Sequence, residues 1–160
     1  MKYAIMGMLD RIIPAQKASA HCDIPCGIYD PHNAQMAAHT VIRMATLINE
    51  NKADVHKVAR FTAAKEQHAE ICKHEIRVLW ADYFKPDHLQ KYPNLHELVW
   101  KTLKLASKAR QEADVKAGDE LLESVNKIAE IFWETKGMGT ARFKAPYPTE
   151  RETVYPVSKK

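Results

Sequence analysis

The chain has 160 residues, 46% of them hydrophobic and only five of them glycine, a length and balance that fit one globular, helix-rich domain and exclude a disordered or collagen-like chain. The net charge of +4 sits at the ends: residues 1–20 hold three basic residues and one acidic, residues 141–160 hold five and two, and the central 120 carry −1. A nucleic-acid-binding body gathers its basic residues on the fold, so nucleic acid is not expected as a partner. No stretch approaches the ~20 apolar residues that span a bilayer, so membrane insertion is not expected either.

Residues 1–20 open with Lys2, run apolar from Tyr3 to Leu9, and end in Ala18-Ser19-Ala20, small residues of the kind a processing protease cuts. Asp10 and Arg11 interrupt the apolar run at the lower limit of an export signal. The segment therefore reads as a maturation leader, cleaved after Ala20, that keeps the amine of His21 blocked until metal loading; a conventional signal peptide is the alternative. The leader reading favours a cytoplasmic protein, the alternative an exported one.

The next nine residues are His21-Cys22-Asp23-Ile24-Pro25-Cys26-Gly27-Ile28-Tyr29. Once His21 is an N-terminus, its amine, its imidazole, the Cys22 amide and two thiols form a set of five donors. The His21 amine and Cys22 amide nitrogens close one five-membered chelate ring on a metal, and the Cys22 amide and thiolate close a second. Cys26, returned by the turn at Pro25, completes a planar two-nitrogen, two-sulfur site that suits nickel or copper(II) better than tetrahedral zinc. The His21 imidazole remains as an axial ligand. Anionic amide and thiolate donors stabilise a higher oxidation state, which makes nickel redox-active. Without the preceding histidine and the cleavable junction, the same cysteine pair reads as a redox disulfide or half of a zinc site.

Asp30-Pro31 begins a helix, with Asp at the cap and Pro at the first helical position, and Met36, Ala37, Val41, Met44 and Ile48 carry its apolar stripe to about Asn49. A second, longest helix runs from about Asp54 to Tyr83 on the stripe Phe61, Ala64, His68, Cys72, Ile76, Leu79, Tyr83. Within it, Cys72 reads as a small buried hydrophobe, and His68, on its own, as a satisfied core histidine. Lys85-Pro86 and Tyr92-Pro93 break the chain. Asn94 caps a third helix with Leu95, Leu98 or Val99, Thr102 and Leu105 or Ala106 inward; the polar stretch Ser107 to Gly118 contains a turn; and Leu121, Val125, Ile128 and Phe132 mark a fourth helix that stops near Gly137. Four amphipathic helices on modest loops predict an all-α, up-down four-helix bundle behind an N-terminal metal-binding hook. Residues 141–160, with Pro146, Pro148 and Pro156 and no apolar period, are expected to be an extended basic tail. It either docks on a neighbouring subunit through Phe143, Tyr147, Val154 and Tyr155 or is loosely ordered. The domain boundaries are then 1–20 for the leader, 21–140 for hook and bundle, and 141–160 for the tail. No Glu-x-x-His pair, Gly-x-Gly-x-x-Gly, Walker loop or His-Glu-x-x-His occurs, which removes di-iron, dinucleotide, nucleotide and zinc-protease chemistry.

The hook resembles that of the nickel-containing superoxide dismutases. So do Val78-Leu79-Trp80-Ala81-Asp82-Tyr83-Phe84-Lys85-Pro86, Lys91-Tyr92-Pro93 and Ile131-Phe132-Trp133-Glu134-Thr135-Lys136; the likeness runs from His21 to about Lys136. The resemblance implies a precursor whose mature form disproportionates superoxide to oxygen and hydrogen peroxide at a Ni(II)/Ni(III) centre, with one nickel ion per subunit of a homohexamer. It implies that His21, Cys22 and Cys26 bind nickel and that Tyr29 and Tyr83 line the approach to it. His68, Asp23 and Lys85 are assigned to supporting the ligands or attracting the anionic substrate. Some family members support the axial histidine with a glutamate and an arginine; the matching positions here carry Ala37 and His68, so the hydrogen bonds around His21 are expected to be built differently. The competing readings are a nickel-delivery protein that uses the same hook without turnover, and a dithiol redox protein indifferent to nickel.

Overall fold

The computed structural model describes residues 27–159. Its first element, α1 (His32–Glu50), starts one residue later than the sequence predicts: Pro31 takes the cap position with no side-chain cap bond, and the Asp30 carboxylate before it accepts the backbone N–H of His32 at 2.7 Å. The longest helix, α2 (Val55–Val78), is capped by Asp54, whose carboxylate accepts the Lys57 N–H at 3.0 Å. It runs into a π-helical turn, Leu79–Tyr83. A short helix, α3 (Pro86–Lys91), fills the space between the two predicted breaks, beginning at Pro86 and ending before Tyr92-Pro93. The chain then forms α4 (Leu95–Gln111) and α5 (Val115–Thr135), the latter capped by Asp114 through the Lys116 N–H at 2.9 Å.

α1 packs on α2 and α5, and α4 packs on the same two, so the four long helices form a closed square in chain order. That is the up-down bundle expected of short connections. Its core is built from Val41 and Ile42 of α1, Cys72, Ile76 and Leu79 of the α2 run, Leu95 and Val99 of α4, and Leu121, Val125, Ile128 and Phe132 of α5. Burial in this apolar core pushes the Cys72 thiol up to about 12, so it stays protonated and acts as the small hydrophobe expected.

Two details depart from the periodic reading. In the first half of α2 the buried positions are Lys65 and Ala69, while Phe61, Ala64 and His68 are only half-buried. Lys65, 2% exposed, donates from Nζ to the carbonyls of Ala109 and Arg110 at 2.8 and 2.5 Å. A buried charged residue thus satisfies last-turn carbonyls of α4, where the helix dipole favours a cation.

The segment expected to be an extended tail is extended but not loose. Strands β1 (Gly139–Lys144) and β2 (Glu152–Val157) pair antiparallel, Gly139 opposite Val157 and Lys144 opposite Glu152, and the hairpin folds back on its own bundle against α1 and α5. Pro146 and Pro148 lie in the loop between the strands and Pro156 in an edge strand, positions where a missing N–H removes no necessary ladder bond. Arg142 joins β1 to α5 through Glu130 at 2.7 Å and Glu123 at 2.7 Å, and Arg151 reaches Asp119 at 2.9 Å.

Candidate metal centre

Tyr83 is placed by the π turn. The Phe84 N–H donates to the Leu79 carbonyl at 3.0 Å, a five-residue step, and the widened turn swings Tyr83 onto α5 at the point where α2 ends. Such single π turns recur at functional sites because they re-aim one side chain without ending the helix. The Tyr83 ring packs against Phe132 at a centroid distance of 4.5 Å, against Phe84 at 5.3 Å and, stacked, against His88 at 5.6 Å.

The phenol is equally fixed. Tyr83 Oη lies 2.7 Å from Thr135 Oγ1, and Thr135 gives its own hydroxyl proton to the Phe132 carbonyl at 2.6 Å. Tyr83 is therefore the donor, and its oxygen keeps lone pairs free to accept from water or a bound acid.

Tyr29, half-buried just before α1, meets this platform with its ring 5.5 Å from that of Tyr83, tilted by 55°. Its hydroxyl donates to the Asp82 carbonyl at 3.4 Å. The two tyrosines assigned from sequence are thus brought together from positions 54 residues apart in the chain.

Lys85 is exposed, at the start of α3 and two residues past Tyr83. A second cation, Lys136, was not among the sequence assignments: its Nζ lies 5.3 Å from the Tyr83 ring centroid and 5.2 Å from that of Phe132. His68 is elsewhere. Its Nδ1–H donates to the Ala64 carbonyl at 2.9 Å, and the 15 positions between it and Tyr83 correspond to about 22 Å along a helix. Ala37 is buried in the core of α1. His21, Cys22, Asp23 and Cys26, with the leader, lie outside the described residues.

The segment Ile131 to Lys136 does more than pack: Phe132 packs against Tyr83, Thr135 accepts the hydrogen bond of its hydroxyl, Lys136 sits over its ring, and Glu134 accepts a hydrogen bond from the Tyr92 hydroxyl at 2.7 Å, tying α3 to α5. The available sign was that Tyr83 and this segment each belong to a motif, but their contact crosses 52 residues and has no local periodicity.

Among the described residues no three His, Cys, Asp or Glu side chains come together as a metal cage. The class of protein so defined is a four-helix bundle whose interior is filled by side chains and which carries a tyrosine pair, Tyr29 and Tyr83, just after a cysteine-bearing N-terminal sequence. A family model described as nickel-containing superoxide dismutase matches residues 16–136, and the chain belongs to that family. A relative from Streptomyces coelicolor named superoxide dismutase [Ni] is 47% identical over 130 residues, which cover 81% of this chain and 98% of the relative. One of the same name from Streptomyces seoulensis is 45% identical with the same coverage. The native 1.30 Å structure of a nickel superoxide dismutase is 47% identical and superposes with a TM-score of 0.69 over 72% of this chain and 99% of that one. A structure with nickel ligation corresponding to the oxidised state is 44% identical, with a TM-score of 0.69 over 73% and 99%.

Proposed function

We infer that the protein is a nickel superoxide dismutase, an oxidoreductase that disproportionates superoxide to oxygen and hydrogen peroxide. The observation that carries this reading is the family match through the hook, the α2 run and α5, together with the facing Tyr29–Tyr83 pair. The nickel-delivery reading finds no support in relatives that are named as dismutases.

The donor set fits nickel: an amine, an amide nitrogen and two thiolates favour a planar ion, and the described bundle offers no competing cage. His21, Cys22 and Cys26 hold the ion in this proposal, after a protease has cut behind Ala20. When bound, nickel supplies the one-electron Ni(II)/Ni(III) couple that lets one superoxide be oxidised and a second be reduced. Two superoxide ions and two protons yield one oxygen and one hydrogen peroxide, so the site must admit a small anion and deliver protons. Tyr29 and Tyr83 narrow the approach, and the Tyr83 oxygen, its own proton held by Thr135, orders water by accepting hydrogen bonds. Lys85 and Lys136 set a positive local field that draws the anion in.

The supporting roles of Asp23 and His68 belong to the same proposal. In this proposal His68 supports the hook through a hydrogen bond to His21, and the protein assembles as a homohexamer. The protein acts in the cytoplasm in this reading, with export as the alternative for the leader. No helix of the described residues is long and apolar enough to cross a membrane.

The test compares protein beginning at His21 with the uncleaved chain, each offered nickel. The expected result is stoichiometric nickel and dismutation in the mature form alone. Activity in the uncleaved form would remove the free amine from the mechanism, and tight nickel without dismutation in the mature form would leave the delivery protein.

A further inference from the structure

The family match ends at residue 136, so the hairpin that follows lies beyond it, yet the bundle is built around that hairpin. Gln35, 1% exposed, donates through Nε2 to the Val154 carbonyl at 3.1 Å and to Asn126 Oδ1 at 3.0 Å, and Asn126 Nδ2 donates to the Glu152 carbonyl at 3.0 Å. The two ring nitrogens of His39 meet the hydroxyls of Thr149 and Thr153 at 2.7 and 2.8 Å. Helices α1 and α5 thus bury polar side chains whose partners come from the hairpin, an arrangement that is costly unless the hairpin is docked.

Gln35 and His39 lie in the first turns of α1, directly downstream of Tyr29. Closer to the hook, the Tyr155 ring of β2 lies 6.2 Å from the ring of His32, and Tyr155 and Pro156 close a cleft of about 230 Å³ against Asp30 and Trp133.

We propose that the hairpin is a bracket that fixes the root of the metal-binding hook, with Tyr155 as a positioning residue for the nickel site; this rests on the reading of residues 21–29 given above. A terminal segment that closes on an ion loses conformational freedom, and a root already held in place reduces that cost. The hairpin supplies the hold at the Asp30–His32 entrance to α1, while Tyr83 packs on Tyr29.

The test measures nickel release from the mature, nickel-loaded protein to excess chelator, in wild type, Tyr155→Ala, Tyr155→Phe and Lys144→Ala, with far-ultraviolet circular dichroism to confirm the fold. Tyr155→Ala is expected to release nickel about tenfold faster, the lower end of the effect of removing an outer partner of a metal site. Tyr155→Phe keeps the ring and should release at the wild-type rate. Lys144→Ala alters an exposed side chain of the same hairpin that pairs with Glu150 and should also match wild type. Should Tyr155→Ala lose helix content, Tyr155→Val gives the same readout with a strand-forming residue. Wild-type release from a folded Tyr155→Ala or Tyr155→Val protein overturns the bracket while leaving the dismutase reading intact; a wild-type protein that takes up no nickel overturns both.

Discussion

His39 has a hydroxyl on each ring nitrogen, the edge of the Tyr147 ring at a centroid distance of 5.0 Å, and only 4% exposure. Burial, aided by the charges of His32 and Arg151, lowers its pKa to about 4, against about 6.5 in an unfolded chain. As pH falls through 6.5 the unfolded chain takes up a proton that the folded one refuses, so the unfolded state gains. Stability from this residue is therefore complete above about pH 6.5 and is lost as pH drops toward 4, by on the order of 3 kcal/mol. Urea unfolding of wild type and His39→Gln at pH 7.5 and 4.5 checks this: the wild type should lose 2–3 kcal/mol more than the variant between the two pH values, by the same ~1.4 kcal/mol per unit. An equal loss in both would mean that His39 titrates normally.

At the scale of elements, the contact between α1 and α5 depends on a missing side chain. A Cβ on Gly118 would lie 2.8 Å from Ile42 Cγ1 and 3.3 Å from Ile42 Cα, so the backbones cross too closely for alanine. Gly118→Ala brings ~1 kcal/mol of helix propensity but overpacks a joint that costs roughly 1–3 kcal/mol to open. Its unfolding midpoint in urea is expected to fall; a rise would show that the two helices separate without cost. The π turn makes a similar point about local order. One extra residue in the last turn of the α2 run decides which side chain faces α5, and that side chain is Tyr83.

Across the whole molecule, the hairpin is the largest addition to the bundle. A chain ended after Lys136 removes both partners of His39 and one bond each of Gln35 and Asn126, which keep only each other, and uncovers the face that Val154 occludes. At about 1–3 kcal/mol for each deprived buried group, the loss should be at least about 3 kcal/mol, a large share of a typical domain's 5–15. Thermal and urea unfolding of the shortened protein measures it. Unchanged stability would mean that the hairpin is carried passively.

Much of this protein is determined locally, and that part is legible in the sequence. The Asp30 turn and the Asp54 cap follow from one side chain and the N–H groups beside it, and the order of the four long helices follows from a 3.6-residue period and short loops. The donors proposed for nickel lie within six residues of one another, so their suitability for a planar metal is argued from chelate-ring size and the turn at Pro25 alone. Tertiary structure decided the rest, because it rests on partners far apart. Lys65 is buried only because α4 ends beside it, and Lys136 and Thr135 meet Tyr83 only because the α2 run delivers it to them. The final segment is a docked hairpin because its threonines and carbonyls meet polar residues of α1 and α5 more than 100 and about 25 positions earlier. No periodicity within residues 141–160 encodes those partners; only the packed bundle brings them together.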